Sequence, residues 1–285
     1  MEQILHPDAW LIFSPDIYCN LKSKYRLSPH EKNNLIPGKI RTEELLQVLE
    51  ISGRKFLITL TGGGEPFLIP NIIEFSHEIT KKHFLAFNTS LTKPKVRLFA
   101  NEINPQRVSY IHAFAHFEEL FRGKLIDRFI ENYLLLKDKG FNVLPVAIAY
   151  PSFVENAQIY SNYLKNYGID IVFDPFFGMH DNKFYPDSYT EDERKIFNLS
   201  QDKIDKFKSK GIICNAGYNV GVINNDGSIT ACHKIKLSLG HIYEQIHFNN
   251  YLIKCPYNEC SCPLHVNSEL HMKAIENNPA VGIFQ

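Results

Sequence analysis

Six cysteines are spread very unevenly along the 285 residues. Cys19 stands alone near the start, whereas Cys214, Cys232, Cys255, Cys260 and Cys262 fall in the last quarter. Thiols clustered in this way more often bind metal than pair as disulfides in a cytosolic chain. The pattern Cys214-x12-Gly227-x4-Cys232, followed by Cys255-x4-Cys260-x-Cys262-Pro263, supplies one four-ligand site with a thiol to spare. Four cysteines, or three with His233 or His265, suit tetrahedral zinc, and four cysteines also suit an iron–sulfur cubane. Spacing alone does not separate the two. Either metal would staple a tail that has few apolar residues.

A second chemical signal is Thr61-Gly-Gly-Gly-Glu65-Pro66. Glycines lack Cβ, so a backbone can approach a ligand closely and present N–H and C=O groups to it. Asn88 and His116 are polar residues placed, like the glycines, just after apolar runs.

The elements that must carry these residues follow from hydrophobic periodicity. Strands are predicted at 9–18, 56–61, 83–87, 107–115, 142–150 and 169–173. Helices are predicted at 42–51, with Thr42 as its cap, and at 70–82, 125–139 and 153–167; Gly140 and Gly168 end the last two. Such alternation implies a parallel sheet with crossover helices. In barrels built this way, ligands bind at the C-terminal ends of the strands. Cys19, the glycine run, Asn88 and His116 all fall there.

From 178 to 210 the chain turns polar, and 191–210 is predicted helical. Beyond 211, short strands at 220–223 and 228–232 flank Asn224-Asn-Asp-Gly227, a hairpin loop. Apolar residues make up 44% and charged residues 22%, with 31 basic and 31 acidic side chains balancing to zero. The pI of about 7.2 gives no support for nucleic-acid or membrane binding. No apolar run approaches the roughly 20 residues that cross a bilayer, and Met1-Glu-Gln does not open a signal peptide. The expected location is the cytoplasm.

Cys19-Asn-Leu-Lys-Ser23-Lys-Tyr-Arg26 resembles the cluster-binding segment of radical S-adenosylmethionine (SAM) enzymes, "CNLKCKYC" in a Cys-x3-Cys-x2-Cys frame. Gly63, Gly64, Glu65 and Pro66 resemble that family's "GGEP". Asn88-Thr-Ser-Leu91 resembles its "NGTL", and Ala113–Glu119 its "SxH" segment, with Phe114 in place of the serine. Cys214 to Cys232 resembles the opening of the SPASM or twitch extension, and Asp187–Glu193 and Leu239–Ile242 resemble its "SYTEEE" and "LGNI" segments.

The resemblance implies a partial (β/α)6 TIM-like barrel with a small C-terminal Cys-rich domain of hairpin and loop. Its parts would be a barrel over 1–180, a helical linker over 181–210 and a metal-binding domain over 211–285. It implies SAM contacts from Gly63, Gly64, Glu65, Pro66, Asn88 and His116. It also implies an auxiliary [4Fe–4S] cluster on four of Cys214, Cys232, Cys255, Cys260 and Cys262. The catalytic cluster needs three thiolates, and Ser23 and Arg26 occupy two of those places. A serine alkoxide is a poor ligand, and a guanidinium has no lone pair to give. The expectation is a protein that has lost radical initiation and serves as a binding or partner subunit for an intact radical SAM enzyme or a peptide. The alternatives are an active oxidoreductase or peptide-modifying enzyme with unusual cluster ligation, and a zinc-stapled ligand-binding protein.

Overall fold

The structure is a computed structural model that describes residues 7–13, 21, 38–61, 64–260 and 283–284. Six parallel strands run side by side in sequence order: β1 (Ala9–Phe13), β2 (Phe56–Leu60), β3 (Phe84–Thr89), β4 (Val108–Phe114), β5 (Val143–Ala149) and β6 (Val172–Pro175). Helices α1 (Thr42–Ile51), α2 (Ile72–Thr80), α3 (Lys95–Glu102), α4 (Phe117–Arg122), α5 (Ile126–Asp138) and α6 (Val154–Lys165) lie between them in the chain. This is the α/β architecture of a partial TIM-like barrel, the parallel sheet matching the alternation and the barrel the resemblance.

Alternation along each strand divides the apolar residues between two faces. Leu11, Ile58, Leu85, Phe87 and Ile111 join Leu45, Phe75, Phe99 and Phe129 of the helices in the main core. Trp10, Ile12, Leu57, Ala86 and Val222 form a separate cluster on the opposite, inner face. Phe67, Phe87 and Phe99 meet at ring-centroid distances of 5.0 to 5.5 Å. Each such buried ring contributes about 1.5–3 kcal/mol.

Helix α1 keeps its predicted bounds, but Thr42 does not cap it. Arg41 holds the cap position, and the Thr42 hydroxyl donates to Ile40 O at 3.3 Å. The predicted helix over 191–210 is two short ones, α7 (Glu191–Ile196) and α8 (Gln201–Asp205). Thr190 and Glu193 form a reciprocal capping box at the start of α7. Asn198, at φ 51°, breaks the helix, and the Ser200 side chain caps α8. Before them, β7 (Gly178–His180) and β8 (Lys183–Tyr185) make a small hairpin.

The later strands are β9 (Ile213–Cys214), β10 (Val220–Ile223), β11 (Ser228–Thr230), β12 (Ser238–His241), β13 (Gln245–Ile246), β14 (Leu252–Lys254) and β15 (Ile283–Phe284). The expected hairpin forms as β10 and β11, and β10 lies parallel on β1, with Trp10 opposite Val220. One ten-stranded sheet therefore runs from β13 to β6. Gly227 sits at φ +88°, and a Cβ there would lie 2.6 Å from the His241 ring, so the turn requires glycine. Phe248 stacks on Phe56, and Arg41 lies 3.8 Å over the Tyr243 ring. The cap thus packs directly on the barrel. Among the described residues, no helix is long and apolar enough to cross a membrane.

Candidate functional site

The segment after β2 is fastened to the end of β3 through a buried carboxylate. Glu65 is only 2% exposed. Its Oε1 accepts from Phe67 N–H at 3.2 Å and Thr89 Oγ1 at 2.7 Å. Its Oε2 accepts from Ser90 N–H at 2.9 Å and Ser90 Oγ at 2.6 Å. A carboxylate has about four lone-pair sites, and here all four are used. Pro66 opens a short 3-10 turn that Glu65 caps. Gly64 lies beside them; Gly63, Cys19, Ser23, Arg26 and Cys262 lie outside the described residues.

The strand end that receives Glu65 is itself held in an uncommon conformation. Leu91 has φ +54°, the left-handed region that branched side chains avoid. Its N–H donates to Thr89 Oγ1 at 3.1 Å, and its carbonyl accepts from Asn132 Nδ2 at 2.6 Å. Local strain of this kind survives only where neighbours over-determine it.

Asn88 lies within β3, and its Nδ2 donates to Thr61 Oγ1 at 2.6 Å. Its Oδ1 is buried and accepts no hydrogen bond among the described residues. Thr61, Glu65 and Asn88 are thus brought together at the C-terminal end of two adjacent strands. His116 follows β4 at the same rim and sits at the start of α4, with its ring stacked 6.1 Å from Phe114.

Sequence reasoning named Phe114 and His116 but missed Tyr110 and His112 before them on β4. Tyr110, His112, Phe114 and His116 form a ladder along β4, with ring centroids 4.5, 6.3 and 6.1 Å apart. Their spacing of two was the available signal. Trp10 Nε1 donates to Thr59 Oγ1 at 2.8 Å, and Thr59 stands 3.4 Å from Tyr110 Oη. Burial pushes the His112 pKa down and the Tyr110 pKa up, so both are neutral near pH 7. Asp174 of β6 acts on His112 in the opposite sense and pairs with Lys206 at 3.4 Å.

The C-terminal thiols converge from three segments. Cys214 ends β9, which pairs antiparallel with β14, and Cys255 follows β14. Cys255 N–H donates to Ile212 O, and Cys260 N–H to Phe207 O, both at 2.9 Å. Cys232 follows β11, and its Sγ accepts from Ile235 N–H at 3.1 Å. Lys234 N–H also supports that sulfur, and Ala216 N–H supports Cys214. Burial pushes the Cys214 thiol up to about 11, and Cys232, Cys255 and Cys260 act on it electrostatically in the same sense. All four thiols are half-buried and free of disulfides, and His233 is exposed. Among the described residues, no three of His, Cys, Asp and Glu stand close enough to hold a single metal ion.

No protein-family model matches the chain, and no curated protein sequence does. Solved structures do resemble it. One is anSMEcpe with bound AdoMet, at 15% identity and a TM-score of 0.59, covering 83% of this chain and 75% of that one. The same protein with AdoMet and the Kp18Cys peptide gives 15% identity and a TM-score of 0.57, covering 83% and 78%. Streptococcus suis SuiB bound to precursor peptide SuiA gives 17% and 0.52, covering 84% of this chain and 63% of SuiB. The chain therefore spans less than two thirds of SuiB. At these identities the shared property is the fold, a partial TIM-like barrel continued by C-terminal strands.

Proposed function

We propose that this chain is a radical-SAM-like iron–sulfur protein that has lost its catalytic cluster site. It acts as a binding or partner subunit and retains one auxiliary [4Fe–4S] cluster. The observation that carries this reading is the contrast between two sets of residues. Residues 19–26 offer one thiolate, Cys19, with Ser23 and Arg26 where two more would be needed. In the cap, by contrast, four half-buried thiols interact, and backbone N–H groups point at two of the sulfurs.

The all-thiolate donor set suits the group. Zinc draws four sulfurs to about 2.3 Å from one centre, whereas each thiolate of a cubane binds a different iron. The resemblance of Cys214 to Cys232 to the opening of the SPASM or twitch extension favours the cluster over zinc. Cys214, Cys232 and Cys255, with Cys260 or Cys262, would hold it. When bound, the cluster cross-links the cap and supplies a one-electron redox centre. The N–H donors to Cys214 and Cys232 stabilise the thiolate form of each.

At the barrel rim, the unpartnered Asn88 Oδ1 offers an acceptor to a ligand N–H or O–H. Glu65 shapes the adjoining loop rather than contacting the ligand, because its acceptor positions are filled. The AdoMet in anSMEcpe, and the peptides in anSMEcpe and SuiB, support a SAM-like molecule or a peptide as the class of ligand here.

The test is the iron, sulfide and zinc content of anaerobically purified protein, together with a reductive SAM-cleavage assay. About four irons with sulfide, and no 5′-deoxyadenosine, is the expected result. About eight irons, or 5′-deoxyadenosine, would instead assign an active enzyme. About one zinc without iron would assign a zinc-stapled binding protein.

A further inference from the structure

A separate site lies on the cap. A cavity of about 490 Å³ opens between the loop that follows β11 and strand β14. Ile235 and Ile253, both half-buried, supply apolar wall. Lys234, Lys236 and Lys254 are exposed around it, with Tyr257 and Pro256 beside them. Among the described residues, no aspartate or glutamate lines the cavity. In a chain with equal numbers of acidic and basic residues, three lysines around one pocket are a local concentration of charge.

The pocket is built before any ligand arrives. Lys234 Nζ donates to Glu259 O at 2.5 Å and lies 4.9 Å over the Tyr257 ring. Tyr257 Oη donates back to Lys234 O at 3.1 Å. These contacts tie the loop to the segment after β14 and fix the wall between them. Lys236 and Lys254 make no ion pair among the described residues. Their ammonium groups are available to a ligand.

We propose that this pocket binds an acidic peptide segment. One apolar or aromatic side chain would lie against Ile235, Ile253 and Tyr257, and flanking carboxylates would pair with Lys236 and Lys254. The size and mixed lining suit one or two side chains. A nucleic acid calls for an extended basic stripe along its backbone, and this chain has a compact three-lysine rim around an apolar wall. The site goes beyond the reading above.

The test uses full-length, anaerobically purified protein and fluorescence anisotropy. The probe is a labelled short peptide of glutamates around a central phenylalanine. A matched peptide has lysines in place of the glutamates. The wild type is expected to bind the acidic peptide and not the basic one, with affinity falling steeply as salt rises from about 50 to about 300 mM. The double variant Lys236→Glu/Lys254→Glu is expected to lose about tenfold or more for the acidic peptide and to gain binding of the basic one. That gain cannot come from an unfolded protein. If the variant does not fold, Lys236→Gln/Lys254→Gln takes its place, with the loss of acidic-peptide binding as the readout. Absence of wild-type binding, or equal binding by the substituted protein, overturns the proposal. So does tighter lysine-dependent binding of a single-stranded oligonucleotide than of the peptide.

Discussion

Glu65 and Ser90 are joined twice: one carboxylate oxygen accepts both the backbone N–H and the hydroxyl of Ser90, at 2.9 and 2.6 Å. The pair locks the segment after β2 to the strained end of β3. Glu65→Gln replaces one acceptor with an NH₂ group and leaves buried donors facing it. The expected cost is about 2–4 kcal/mol, read as a lower midpoint in thermal or urea unfolding. An unchanged midpoint would mean that Glu65 is held for a ligand and not for the fold.

The chain has a single tryptophan, so its fluorescence reports one place on the inner face. Thr59→Val removes the acceptor of the Trp10 indole N–H and leaves a buried donor unpaired. A loss of about 1–3 kcal/mol is expected, with a shifted emission maximum. A molecule entering the barrel lumen should change the same signal; SAM titrated into the protein without any change would argue against lumen binding.

His83 gives the stability a defined pH dependence. Its Nδ1 accepts from Phe56 N–H at 3.2 Å, so the neutral ring carries its proton on Nε2. Burial, aided by Lys82, pushes its pKa from 6.5 down to about 4. The unfolded chain therefore takes up a proton at higher pH than the folded one. This contribution is fully present above about pH 6.5 and is lost as pH falls toward about 4, by up to about 3 kcal/mol. Urea midpoints measured across that window should fall in the wild type and flatten in His83→Gln.

The Cys214 thiol, raised to about 11, must lose its proton when metal binds. Apparent metal affinity should therefore drop as pH falls, with protons released on loading. A competing chelator should strip iron faster at pH 6 than at pH 8. Cys214→Ser should lose most of the iron and lower the melting point of the cap. Full iron retention in that variant would remove Cys214 from the ligand set.

The units from Phe56 to Phe173 were legible because their signals are local. Period-two and helical apolar spacing mark each element, and Gly140 and Gly168 end two of the helices at φ +83° and +73°. The glycine run, Asn88 and His116 could be placed at strand ends for the same reason. The break at Asn198 was hidden, since the segment from 191 to 210 has helix-forming composition and one left-handed residue decides its course.

What the sequence determined by itself was the order of strands and helices and the supply of thiols, glycines and acids, all carried by neighbouring residues. Tertiary structure alone decided that β10 pairs with β1 across some two hundred residues. It also decided that Glu65 spends its acceptors on Phe67, Thr89 and Ser90, and that Cys214 interacts electrostatically with Cys232, Cys255 and Cys260. Such outcomes rest on burial and on contacts between distant segments, where the alternatives differ by packing and desolvation and not by local propensity.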